Sequence, residues 1–518
     1  MRGKMVIHNL GSIAILLSVS VLIPAIIAGI YGEISGILAF LLTSIIAAII
    51  GYAMNHFGTK GEIFHKGAFV TAGSAWILAS IIGAFPYFFM GFSFLDALFE
   101  SLSGFTTTGA TLLTEVDFQG YWTLDHEIVE SSLAYMLVDK MSNLVNIQFN
   151  DTGTFFGLLF WRSFSQFLGG MGIILLFLAI LPNLGISGRR LYSVEGLGMT
   201  KETITPHVRK TAEIFWSIYI GLAAIEAVIL IGFGMPLYDA ICTALTSLAT
   251  GGFSPRASSI ASYNSPFIDA IVIIFLVIGG TSFLLHYKII FKRDFLAPLK
   301  DAEFRFYISI MVLSIVILLL WGRLNVDLPT QLRYSIFQVA SIMTTTGFVN
   351  NLSYDNWSLA AKFVLIILML VGGCVGSTGG GIKVGRVLII LKYAYSELLH
   401  AIHPQIVTSI KVDQNVVSED ILRSIQIYII LYLMIFLGAS LAFTITESNN
   451  PDFDAISAIS ASACTLGVIG PGYGVVALDF AGISPPGIIL GIICMYVGRL
   501  EIITALVLFL PNTWKGTF

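Results

Sequence analysis

The chain has 518 residues, 56% hydrophobic and 11% charged, with a formal net charge of -4 and a mean hydropathy of +0.88. Runs of roughly 20 apolar residues recur throughout, the length that crosses the hydrocarbon core of a bilayer. This composition excludes a soluble globular chain or a nucleic-acid binder and defines a polytopic membrane protein embedded in lipid. The four cysteines (Cys242, Cys374, Cys464 and Cys494) lie in apolar stretches without metal-ligand spacing or evident pairing, and read as packing residues.

Taken in order, Met1 to Lys4 is a short basic start followed by apolar spans at 7–30 and 35–54. The first has neither the short apolar core nor the small-residue cleavage site of a signal peptide, so it reads as an anchor. Lys60 and Lys66 in the loop that follows place that loop and the N-terminus on the cytoplasmic side. Residues 1–66 therefore form a two-helix region ahead of four units, 67–205, 206–303, 304–420 and 421–518. Each unit reads as span, short pore helix, turn and returning span, which gives an all-α membrane protein with about ten spans. The pore helices fall at 95–106, 238–249, 332–343 and 453–463. Lys and Arg gather in the loops this topology assigns to the inner side, including Arg189, Arg190, Lys201, Lys288, Lys292 and Arg293, so the C-terminus is also cytoplasmic.

Imitation of one stretch organises the four units. In Ser103 to Thr111, Gly109 follows Asp96-Ala97; the same interval separates Asp239-Ala240 from Gly252, Asp454-Ala455 from Gly467 and, less perfectly, Tyr334 from Gly347. A cation leaving water needs replacement oxygens, and rings of backbone carbonyls supply them in the unusual conformations that glycine adopts freely. Asp at the start of three of the short helices caps free amides, while the helix C-terminus aims its partial negative charge at the ion. The ion-binding residues are accordingly read as Thr108, Gly109, Gly251, Gly252, Thr346, Gly347, Leu466 and Gly467, with the four glycines Gly109, Gly252, Gly347 and Gly467 around one potassium site.

Three further features stand out. An insertion at 114–152 is acidic and sits on the outer side; it reads as a solvated cap with a helix at 128–145, or as a device that concentrates cations. The second span of the third unit is interrupted by Val371 to Gly385, too rich in glycine for a continuous helix. An unwound segment at membrane depth must be buried in protein or line a watery path, so Gly376, Ser377, Thr378, Gly379, Gly380, Gly381 and Lys383 read as a gate. The final span carries Arg499 near its middle, an expensive charge that must face water or a partner; a block below the filter, or an anchor for the glycine-rich loop through its carbonyls, is weighed against an ion pair with Glu501 or Glu226. A nominal Ser377–His286 dyad would suit an intramembrane hydrolase, but four imitated turns have no use in that chemistry, and no zinc signature is present.

Phe105 to Ala110, Thr250 to Ser254, Thr345 to Phe348, Gly372 to Lys383 and Gly498 to Ile502 resemble the motifs of the TrkH and KtrB family of bacterial and archaeal potassium uptake proteins, related to the HKT transporters of plants and fungi. The two extra N-terminal spans make the chain more similar to the TrkH branch. The resemblance implies a cell-membrane homodimer with one pore per subunit, assembled with a cytosolic ring of TrkA-like, nucleotide-binding RCK subunits that controls the gate. It implies no cofactor in this chain, potassium as the transported ion, the intramembrane loop at 372–383 and the pore-blocking Arg at Arg499. Gly109 is the residue that a Ser replaces in some sodium-preferring plant relatives. Val468-Ile469 departs from the polar turn the family pattern leads one to expect. The alternative within the same fold is a sodium- or proton-coupled, or sodium-permeable, cation transporter.

Overall fold

A computed structural model describes residues 3–61, 65–117, 119–124, 129, 131–145, 154–172, 208–322, 324–351, 354–406, 409–413 and 415–514. Six helices in it are long and apolar enough to cross a membrane: Gly3–Ile30, Ile34–Phe57, Gly67–Phe89, Arg209–Gly232, Ala302–Trp321 and Glu419–Thr446. Two bent pairs bring this to eight if each pair counts as one span, against the ten spans read from hydropathy. The inner loop holding Arg189, Arg190 and Lys201 lies outside the described residues, as does the start of the expected 128–145 helix, whose described part is Leu133–Val145.

The N-terminal helices pack through small residues. A Cβ on Gly11 would meet the Gly51 carbonyl at 2.8 Å, and one on Gly51 would meet the Gly11 carbonyl at the same distance. Close backbone approach of this kind holds helices together where lipid is as apolar as leucine. Glu33, in the turn between these two helices, is fully buried. Its carboxylate accepts the amides of Phe156 at 2.5 Å and Gly157 at 3.0 Å, capping the helix Phe156–Gly170.

Four short helices lie in the interior: Phe94–Phe105, Leu237–Leu248, Leu328–Met343 and Ala455–Gly467. Small residues along them, such as Ala97, Ala240, Ala340 and Ala461, are fully buried, which lets the helices approach their flanking spans. The spans keep their outer faces apolar and exposed, as at Ile220, Val228, Leu437 and Leu441, the arrangement expected of lipid-facing surface.

Three of the helices that return from a turn are broken, and the described part of the other ends at a glycine pair. Phe156–Gly170 ends at Gly170. Pro266–Gly279 bends by 103° into Phe283–Ile290, and Pro485–Arg499 by 117° into Ile502–Phe509. Leu359–Leu370 is followed by the glycine-rich loop and Val384–Ile402. Sequence reading placed a break only in the third of these. The other interruptions fall at Gly169-Gly170, Gly279-Gly280 and Gly498, where glycine permits contact with the end of a short helix: Cβ atoms on Gly169, Gly279 and Gly498 would meet the carbonyls of Phe105, Leu248 and Leu466 at 1.8, 3.0 and 2.1 Å.

Candidate ion pathway

Each short helix runs into a turn with left-handed backbone at two alternate positions: Thr107 and Gly109, Thr250 and Gly252, Thr345 and Gly347, Val468 and Gly470. Three of these pairs end on the glycines expected from spacing. The fourth does not. Gly467 is the last residue of its helix and Leu466 lies inside it, so neither stands in the turn, and Gly470 takes the place assigned to Gly467. The cause is a capping difference. Asp454 is the N-cap of its helix and accepts Ser457 N–H at 2.7 Å, whereas Asp96 sits three residues beyond its own cap, Ser93. Counting from Asp therefore shifted the fourth turn by one helical register.

With Gly470 in place, the turns close a ring. A Cβ on Gly109 would meet the Gly251 carbonyl at 2.3 Å; on Gly252, the Thr346 carbonyl at 2.0 Å; on Gly347, the Ile469 carbonyl at 1.8 Å; on Gly470, the Thr108 carbonyl at 2.6 Å. The backbones thus touch in cyclic order, and at these four positions glycine is required by conformation and by space. Hydroxyls stiffen two turns in the same way: Thr106 with Thr108, and Thr344 with Thr346, each at 2.8 Å. Ser103 and Ser341 close the same turns by donating to the Ala110 and Phe348 carbonyls.

The ring separates two cavities. The larger, about 320 Å³, is lined by Gly109, Gly252, Gly347 and Pro471, with Arg162 and Asp479 in its wall. Arg162 is buried against Glu100 at 3.2 Å and lies 4.0 Å above the Phe253 ring. Glu100 in turn accepts from Thr111 Oγ1 and Leu112 N–H, fixing the strand that leaves the first turn. The described part of the acidic insertion is bound into this wall, because Arg256 reaches Asp239, the Gln119 carbonyl and the Tyr121 hydroxyl. Burial pushes the Asp117 carboxyl up, but bonds from Thr154 and the Tyr121, Gln119 and Gly120 amides outweigh it and hold Asp117 below its ordinary value. These residues do more than cap the surface: they tie the insertion to the second turn.

The smaller cavity, about 90 Å³, is lined by the glycine-rich loop, Gly170, Lys383 and Arg499. The loop is closed at its base, where Gly372 N–H donates to Ile382 and Ile382 N–H to Leu370. It packs directly against the helix-side ends of the turns. Thr378 Oγ1 reaches the carbonyls of Leu248 and Gly279, both at 3.0 Å, and Gly380 N–H donates to Thr345 Oγ1 at 2.7 Å. A Cβ on Gly379 would lie 3.0 Å from the Thr344 carbonyl, and one on Gly380 2.7 Å from that of Gly467. Gly376 and Gly381 are left-handed, the Gly376 carbonyl accepts Phe283 N–H, and Lys383 Nζ donates to the Gly379 carbonyl.

Arg499 joins these parts. Its guanidinium donates to Thr107 Oγ1 at 3.0 Å, to the Thr378 carbonyl at 2.8 Å, and to the carbonyls of Gly169 and Gly170 at 2.6 and 3.0 Å. The carboxylates considered as its partners are engaged elsewhere: Glu501 with Arg386 at 2.7 Å, and Glu226 with Ser247 Oγ. Ser377 and His286 form no dyad, since His286 Nε2 faces the Ile278 carbonyl at 2.9 Å and Ser377 Oγ has no hydrogen-bond partner among the described residues.

Two functional contributors were missed from sequence. Glu303 Oε1 accepts Val375 N–H at 2.7 Å and Gly385 N–H at 2.9 Å, bracing both ends of the loop. Gln166 touches the second turn directly. An acidic residue just inside a span was the signal for the first; nothing in the spacing marked the second.

Backbone-lined turns closing a ring between two cavities, inside a shell of apolar helices, define a membrane protein with a polar centre. The TrkH family of cation transport proteins matches residues 37–515. The chain is 35% identical to the Trk system potassium uptake protein TrkH of Salmonella typhimurium over 99% of this chain and 100% of that one, and 33% identical to the Vibrio parahaemolyticus protein of the same name over 100% of both. The crystal structure of the potassium transporter TrkH from Vibrio parahaemolyticus superposes with a TM-score of 0.82 at 30% identity, covering 99% of this chain and 100% of that chain. The chain belongs to the TrkH family.

Proposed function

We propose that this chain is a potassium-selective uptake pore of the Trk type, lying in the cell membrane with both termini cytoplasmic. The observation that carries this reading is the closed ring of Gly109, Gly252, Gly347 and Gly470. Four turns with the same pair of left-handed positions can present successive carbonyls to one axis, replacing the water around a dehydrated ion. In this reading each turn closes one of four span, pore-helix, turn and span units, with the ion held among the four glycines. Potassium is the substrate; no cofactor takes part.

The loop 372–383 acts as the gate, and Arg499 is the pin that holds it against the first turn. A permanent cation in that position opposes the passage of another. Release requires Arg499 to leave Thr378 and Thr107 together. The resemblance to Trk systems supports a homodimer and a cytosolic TrkA-like RCK ring as the device that drives this release. Passage of sodium, or coupling to sodium or protons, is the competing outcome. Purified protein in liposomes, with potassium and sodium fluxes measured at zero and imposed voltage, distinguishes them: potassium flux well above sodium is expected, and equal fluxes would overturn the selectivity.

A further inference from the structure

The first three turns are built on two different plans. The first and third share one sequence, Thr106-Thr107-Thr108-Gly109 and Thr344-Thr345-Thr346-Gly347, and in both the outer threonines pair through their hydroxyls. The second turn reads Ala249-Thr250-Gly251-Gly252. It has neither outer hydroxyl, yet its place in the ring is the same.

The missing support comes from another element. Gln166, fully buried on the helix Phe156–Gly170, donates from Nε2 to the Gly251 carbonyl at 2.6 Å and accepts Phe253 N–H at Oε1 at 3.0 Å. Chemistry fixes the orientation of the carboxamide, because an amide N–H faces an oxygen and a carbonyl faces an NH₂. The side chain straddles Gly252, clamping the residue on each side of it. It also explains why position 251 is glycine. The backbone there is not left-handed, so conformation does not demand glycine, but a Cβ would stand 2.4 Å from Gln166 Cδ and Oε1.

We infer that Gln166 is a positioning residue for ion selectivity, a carboxamide clamp that replaces in the second turn the threonine pair used by the first and third. This rests on the pore reading above. Because Gly251 belongs to the ring contact with Gly109, loosening the clamp changes the diameter offered to the ion and alters the choice between ions, whereas a purely structural defect would scale both fluxes together.

The test is the ratio of potassium to sodium flux in proteoliposomes of the full-length protein. Gln166→Leu, close in volume but without polar atoms, is expected to lower the ratio by roughly tenfold. Gln166→Glu keeps an acceptor for Phe253 but no donor for Gly251 and is expected to fall between. Gly251→Thr alone is expected to collapse the ratio by its clash with Gln166. The pair Gln166→Ala with Gly251→Thr, which removes the clash and supplies one of the two hydroxyls, is expected to recover part of it, a non-additivity that only contacting residues show. An unaltered ratio in Gln166→Leu, or in Gln166→Glu if the leucine variant does not fold, would overturn this assignment while leaving the pore reading intact. Equal fluxes in the unaltered protein would overturn both.

Discussion

Replacing Arg499 by Ala is expected to accelerate ion flux. In this structure the guanidinium connects the first turn, the loop and the Gly169-Gly170 break through four hydrogen bonds, so its loss frees the Thr378 carbonyl and removes a fixed charge from the path. A cation bound at Thr107 Oγ1 would stand about 5 Å from that charge, and at an effective dielectric of about 20 the repulsion is about 3 kcal/mol. That corresponds to roughly a hundredfold in occupancy of that position, and sets the ceiling for the effect. Arg499→Lys keeps the charge but lacks the planar fork that spans several acceptors, so its flux should fall between the two. The assay is rubidium uptake into proteoliposomes at matched reconstitution, with monodispersity confirming the fold. Unchanged or slower uptake in Arg499→Ala would refute the pinning role and the electrostatic argument with it.

Other expectations follow from the same geometry. Glu303→Ala leaves the Val375 and Gly385 amides without their shared acceptor, a loss of about 1–3 kcal/mol; basal uptake should rise and hydrogen exchange across 375–385 quicken, while Glu303→Gln, which keeps an acceptor, should stay near the unaltered protein. Arg162→Met strands the buried Glu100 carboxylate and should cost about 3–5 kcal/mol, with Arg162→Met/Glu100→Leu recovering part of it, read as melting temperature in detergent. Gly347→Ala places a methyl 1.8 Å from the Ile469 carbonyl at a residue with φ of 85° and should abolish selective uptake. Gly221→Ala, in a helix and facing open space, should leave uptake unchanged and stabilise by up to about 1 kcal/mol.

What the sequence reveals here depends on whether a function is encoded locally. The glycine-rich interruption at 371–385 is visible because no helix tolerates that density of glycine, and the first three turns are visible because Gly109, Gly252 and Gly347 follow Asp96, Asp239 and Tyr334 at one fixed interval. The same counting misplaced the fourth turn, since an aspartate serves as N-cap at Asp454 and as the third helical residue at Asp96, and sequence does not distinguish the two roles. The helix breaks at Gly169-Gly170, Gly279-Gly280 and Gly498 were hidden inside apolar runs. Glycine there gives the same hydropathy whether the helix bends or continues, and contact with a carbonyl at the end of a short helix accompanies each. Gln166 and Arg162 look like ordinary polar residues on a span; their meaning comes from partners far along the chain, at Phe253 and Glu100.

The most direct measurement of the whole account is the anomalous scattering of rubidium or caesium soaked into crystals of the protein. A peak is expected on the axis bounded by Gly109, Gly252, Gly347 and Gly470. Heavy-ion density confined to other surfaces, with the ring vacant at saturating ion, would contradict it.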